Sequence, residues 1–144
     1  MNNHSPQKVV SDFLDCFARR DVDGALRNTA EDVNVNVYGL GRHDIGRGTI
    51  RSVLDDIVEA FPDLILTVKR TITAGNVITT EIKVQGTQAA PYAGAINQEK
   101  HLDLDEVWRF VVAEDSITQI DAYWCQQQLY RRLGVKRFDQ IAIV

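Results

Sequence analysis

Hydrophobic and polar positions alternate most clearly between residues 100 and 124, KHLDLDEVWRFVVAEDSITQIDAYW. Leu102, Leu104, Trp108, Phe110 and Val112 fall on one face of an extended chain, and His101, Asp103, Asp105 and Arg109 fall on the other. A period of two marks a strand with one buried face. The pattern predicts two strands joined by a tight turn at Ala113-Glu114-Asp115-Ser116. Glu106 breaks it, a carboxylate on the apolar face between Leu104 and Trp108. A carboxylate there is paired with a cation, or held protonated, or turned into a cavity.

Upstream, Ser5-Pro6 reads as a helix start, with a capping hydroxyl followed by proline in the first turn. Val9, Val10, Phe13, Leu14 and Phe17 then recur at helical spacing. Asp21 or Asp23 caps a short second helix carrying Ala25 and Leu26, and DVNVNVY over residues 32–38 alternates as a strand. The glycine-rich stretch over residues 39–46 reads as a loop, and it lacks the Lys-Ser/Thr ending of a phosphate loop. Thr49 is the expected cap of a third helix with Ile50, Val53, Leu54, Ile57, Val58 and Phe61 on one stripe, stopped by Pro62. Residues 64–73 and 77–84 read as a hairpin about the turn Ala74-Gly75-Asn76. Residues 85–97 read as an irregular connection, residues 126–133 as a closing helix turn, and residues 135–144 show no clear period. Helices followed by four consecutive strands predict an α+β fold, a curved antiparallel sheet wrapped by the N-terminal helices into a cone. Such a cone can hold an apolar ligand.

Composition narrows the function classes. The chain has 144 residues, 44% of them hydrophobic and 25% charged, which fits one domain spanning 1–144 with its core over about residues 8–134. A net charge of −4, with only a short basic cluster at Arg131, Arg132, Lys136 and Arg137, argues against a nucleic-acid groove. No apolar run reaches membrane-spanning length, and the N-terminus carries no hydrophobic signal, so a cytoplasmic protein is expected. Cys16 and Cys125 have neither metal nor redox spacing, and His4 and His101 join no ligand set, so no metal and no cofactor is expected.

Three segments carry a resemblance: FLDCFARRDVDGALRNTAEDV, GRGTIRSVLDDIVEAFPDLILTV and ITQIDAYWCQQQLYRRLG. In this order they resemble the nuclear transport factor 2-like superfamily, which includes ketosteroid isomerase, limonene epoxide hydrolase and the SnoaL-like polyketide cyclases. The SnoaL-like group is nearest, through a mid-chain AFPD before a strand and a final tyrosine-containing strand running into a QLG-type ending. The resemblance covers roughly residues 8–134 and implies the α+β cone (a cystatin-like roll), commonly a homodimer through the open sheet face. It also implies site positions. The acidic residue on the last strand of the cyclases and the epoxide hydrolase falls on Ala122, and the assisting histidine falls on Trp108. The isomerase's base falls on Val37 and its helix tyrosine on Phe13. The epoxide hydrolase's arginine–aspartate pair falls on Glu81 and Lys83. The isomerase's buried carboxylic acid falls on Glu106.

Glu106 therefore has two readings, a cavity carboxyl acting as base or as hydrogen-bond donor, or a structural ion pair. Glu81 and Lys83 share a strand face and either orient a water or form a surface pair. Asp121 points away from Ala122 unless a bulge turns it inward. His43 is a proton shuttle at the cavity mouth or a solvated loop residue. Phe13, Tyr38, Phe61, Trp108, Ala122 and Trp124 are candidate walls of a substrate cavity. The expectation is a cofactor-free enzyme doing acid–base chemistry on an apolar polycyclic, polyketide- or terpenoid-like molecule. The alternative is a ligand-binding or dimerisation module that has lost catalysis. A homodimer is expected through the second sheet face, where Val107, Val111 and Tyr123 sit among polar residues.

Overall fold

A computed structural model describes residues 5–136. His4, Arg137 and the sequence beyond it lie outside the described residues. Helix α1 covers Pro6–Ala18, with the Ser5 side chain accepting from Lys8 N–H, and Val9, Val10, Phe13, Leu14 and Phe17 buried. Helix α2 covers Val22–Leu26, capped by Asp21. Strand β1, Thr29–Val37, leads through a 3-10 turn at Tyr38–Leu40 into β2, Arg42–Ile45. Helix α3 is Arg47–Ala60. Strands β3 (Ile65–Ala74), β4 (Val77–Thr87), β5 (His101–Ala113) and β6 (Ser116–Trp124) follow, and α4, Gln126–Arg132, closes the order.

The six strands form one curved, open sheet in the order β2-β1-β6-β5-β4-β3. Strands β3 to β6 pair antiparallel with their neighbours, as expected. The sheet is not wholly antiparallel, because β1 lies parallel to β6, with Val35 opposite Ile120 and Val37 opposite Ala122. Strand β2 also replaces part of the expected glycine-rich loop. Its residues are largely exposed and carry no alternation, and what fastens it is polar: Asp44 N–H donates to Asn36 Oδ1 at 2.9 Å. Helix α3 starts at Arg47, not after Thr49, with Ile50 N–H bonded to the Gly46 carbonyl.

The concave sheet face and the helices share one core. Ile78 and Ile82 of β4, Trp108 and Phe110 of β5, and Ile120 and Ala122 of β6 meet Phe13 and Phe17 of α1 and Leu54 of α3. Phe13 packs edge-on against Phe110 at 5.4 Å, and Phe17 lies 6.0 Å from Trp108. Burial alternates strictly along β4 and β5. That alternation fixes the register, because a one-residue slip would turn every apolar side chain of the strand outward.

Candidate functional site

Glu106 sits on the concave face of β5, opposite Trp124 of β6 and Ile82 of β4. Only 9% of its surface is exposed. The Trp108 indole N–H donates to its Oε1 at 2.8 Å. No cation pairs with it in the described structure: each ion pair there involves an aspartate or Glu81. Burial raises the Glu106 carboxyl from 4.5 to about 7, against the smaller lowering effect of the Trp108 bond. At neutral pH the group therefore spends comparable time charged and protonated, the condition for moving a proton either way.

Around it lies a small pocket. Phe17 of α1, Ile57 of α3 and Leu129 of α4 supply one side, and Val84, Leu102 and Glu106 supply the sheet side. Phe61 and Tyr92 complete it, with their rings edge-on at 5.5 Å. Its volume of about 10 Å³ is close to that of a single water molecule's free space. Burial among these groups, and the charge on Glu106 next, raises the Tyr92 phenol well above its ordinary range. A larger, more open groove of about 570 Å³ runs between α1 and the β3–β4 hairpin, lined by Val10, Leu14, Val68 and Ile78 and by Ser11, Thr71, Thr73 and Thr80.

The other residues singled out in the sequence divide between the two sheet faces. Trp108 and Ala122 are opposite one another on the concave face and fully buried, and Phe13 and Phe61 are buried in the same core. Trp124 is half-buried at the sheet end, where its indole lies against Gly39 and donates to Gln126 Oε1. Glu81 and Lys83 alternate outward from Ile82, so neither enters the cone. Lys83 bonds Asp103 at 2.8 Å and Glu81 approaches Arg70 at 3.9 Å. Tyr38 also lies outside, stacked on Tyr123 with ring centres 4.5 Å apart and edge-on to His43. The turn after β1 carries it over the outer face, which is why it does not line the cavity.

Asp121 is 1% exposed and belongs to the outer face. Arg109 Nε and Nη2 donate to its Oδ2 at 3.2 and 2.9 Å, Asn36 Nδ2 donates to its Oδ1 at 2.9 Å, and Gln119 Nε2 adds a further contact. The β5–β6 irregularity falls between Val111 and Val112, before Asp121, and does not turn it inward. Tyr92 is a pocket residue that sequence reasoning missed, as it missed Val84 and Leu129 as parts of the wall. It lies in a segment without periodicity, and its neighbours Pro91 and Gly94 read only as a loop.

Among the described residues, no group of three His, Cys, Asp or Glu side chains is placed to hold a metal ion. No helix there is long and apolar enough to cross a membrane.

The whole chain can be set beside known proteins. AclR of Streptomyces galilaeus, a candidate hydroxylase, superposes with a TM-score of 0.80 at 16% identity, over 90% of this chain and 80% of that one. IdmH of Streptomyces antibioticus, a candidate polyketide cyclase, gives 0.78 at 19% identity, over 92% and 100%. A Catenulispora acidiphila protein with a ketosteroid isomerase-like fold, solved with trimethylamine, gives 0.72 at 15% identity, over 88% and 92%. At these identities the likeness establishes the fold. No curated protein matches in sequence. The family model described as the SnoaL-like domain matches residues 10–120, and the chain belongs to that family, within the nuclear transport factor 2-like fold.

Proposed function

We propose that the protein is a small enzyme, needing no organic cofactor, that performs acid–base chemistry on an apolar ring-containing molecule of polyketide or terpenoid size. The reaction class is cyclisation, isomerisation or epoxide hydration at a carbonyl, enol or epoxide. One observation carries this reading: a buried carboxyl with no cationic partner, titrating at about 7, in the wall of an apolar pocket. Glu106 is the proton-transfer group. Phe13, Phe61, Trp108 and Ala122 shape the surroundings, with Trp124 at the rim. Glu81, Lys83 and Asp121 stand on the outer face with their own partners, and Glu81 lines an open groove that also reaches Glu106 from that side. Both cysteines are free, which suits the reducing cytoplasm.

A second reading has its own support. The resemblance puts Ala122, Val37, Phe13 and Trp108 at the positions of the family's acid, base and donor groups, and the pocket is about 10 Å³. A ligand-binding module would show both features. The two readings part on a simple reaction, exchange of the α-protons of 2-tetralone in D2O, followed by proton NMR. The enzyme should accelerate exchange with a midpoint near the Glu106 value of about 7, and Glu106→Gln should abolish it. A rate rising with pH assigns Glu106 as base, and a falling rate assigns it as donor. Equal exchange in wild type and Glu106→Gln would leave the binding module standing.

For assembly we propose a homodimer through the outer face. Val107 and Tyr123 are there 37% and 36% exposed beside the half-exposed Tyr38. A monomer by light scattering at high micromolar concentration would remove this proposal.

A further inference from the structure

Seven of the eight side chains around the Glu106 pocket come from helices, strands or the end of α3; Tyr92 alone comes from the long connection between β4 and β5. The base of that connection is well tied. Gln88 N–H continues the ladder to the Lys100 carbonyl, Ala89 N–H bonds the Ala60 carbonyl, and Gln98 bonds the carbonyls of Leu133 and Gly134. The tip is tied differently. Tyr92 and Ala95 bond each other's backbone around Ala93 and Gly94, both at positive φ (50° and 84°). A non-glycine residue in that region is a strained position. To the rest of the molecule the tip is held by the Tyr130 hydroxyl on the Ala93 carbonyl (2.6 Å), by a long Gln88 bond to the Ala95 carbonyl (3.3 Å), and by burial of Ala95 and the Tyr92 ring.

So the tip is a short turn on a fixed base, and it delivers a phenol into an apolar pocket beside a carboxyl. The free volume left, about 10 Å³, admits no organic substrate. Any ring that reaches Glu106 by this route has to take the place of the Tyr92 ring. The space thus vacated is shaped for a six-membered aromatic ring with one oxygen, between Phe61 and the Glu106 wall.

We propose that Tyr92 is a tethered stand-in for the ligand: residues 91–95 lift away, and the site takes an apolar ring bearing a phenol or enol oxygen in place of the tyrosine side chain. This rests on the reading of the Glu106 pocket as the ligand site, and it names the substrate class for it. Closure by Tyr92 lowers the apparent affinity by the fraction of molecules that are open, so removing the plug tightens binding.

The probe is 2-naphthol, with affinity read by fluorescence titration. Tyr92→Gly should bind it about tenfold more tightly than wild type or better, and Tyr130→Phe, which frees the latch, should tighten binding by a smaller factor. Equal affinity in wild type and both variants overturns the proposal. Should Tyr92→Gly not fold, Tyr130→Phe and hydrogen exchange on the wild type decide. With 2-naphthol saturating, the amides of Tyr92 and Ala95 should exchange faster than in the free protein; amides that stay protected overturn it. Adding Glu106→Gln to Tyr92→Gly separates the two claims. Tight binding that ignores Glu106→Gln keeps the plug and removes Glu106 from the ligand site.

Discussion

Two buried carboxylates stand on opposite faces of the same sheet, on strands β5 and β6 that pair with each other. Asp121 meets a guanidinium, an amide from β1 and an amide from its own strand. Glu106 meets one indole N–H in a mostly apolar pocket that it shares with the Tyr92 ring. Ionised Asp121 has its desolvation offset by donors on several sides. Ionised Glu106 does not, and its raised proton affinity is the measure of that deficit. Burial alone therefore separates nothing; the number and charge of donors distinguishes a fastening from a reactive group.

The sharpest test of the contrast is Glu106→Gln. The folded-state value of about 7 lies above the carboxyl's ordinary value of 4.5, so between those limits the folded state holds a proton that the unfolded chain has lost. Stability is therefore fully present below pH 4.5 and falls as pH rises through 7. Wild type and Glu106→Gln should match near pH 4.5, and the mutant should be the more stable at pH 8 by about 3 kcal/mol. Thermal or urea unfolding across that range reads it. A mutant less stable than wild type at pH 8 would show that Glu106 is a fastening after all.

Asp121→Ala should move the other way. It strips Asn36 and Arg109 of their acceptor, but Arg109 is half-exposed and can turn to water. We expect a loss of about 2–3 kcal/mol by urea unfolding, below the roughly 3–5 kcal/mol of a pair buried at both ends. A neutral result would mean the outer-face network contributes nothing net, and the contrast would rest on Glu106 alone. Smallest is the effect of Trp108→Phe on titration. Removing the one donor should shift the Glu106 midpoint further upward, by carbon NMR of its carboxyl. A midpoint that falls would mean that the lost indole had let water in.

The residue pattern made half of this contrast visible. Glu106 interrupts a strict alternation, and a charged residue in an apolar phase is a signal that survives without any structure. Asp121 sits in the polar phase, where alternation says solvent, and its burial comes from Arg109, Asn36 and Gln119 closing over it. The helices and the β3–β6 strands followed from local period, because their neighbours in space are neighbours in sequence. Strand β2 did not, since four largely exposed residues have no apolar period to read. Tyr92 did not either, because its position depends on where an aperiodic turn is anchored.

The parallel contact between β1 and β6 has a kinetic consequence. Asn36 and Asp121, which bond across it, are 85 residues apart in sequence. Strands β3 to β6 can zip as successive hairpins, β3–β4 and β5–β6 about tight turns and β4–β5 about the longer connection between Thr87 and His101, all of them closing far less chain than β1 and β6 do. The first strand has to wait for the last one, and a chain still lacking β6 leaves β1 and β2 with no sheet to join. Late docking of β1 follows from the loop-closure entropy. Val35→Ala, buried in β1, should then accelerate unfolding and leave the refolding rate nearly unchanged, by stopped-flow fluorescence, while Ile82→Ala in β4 should slow refolding. Equal slowing of refolding by both would place the two ends of the chain together in the nucleus.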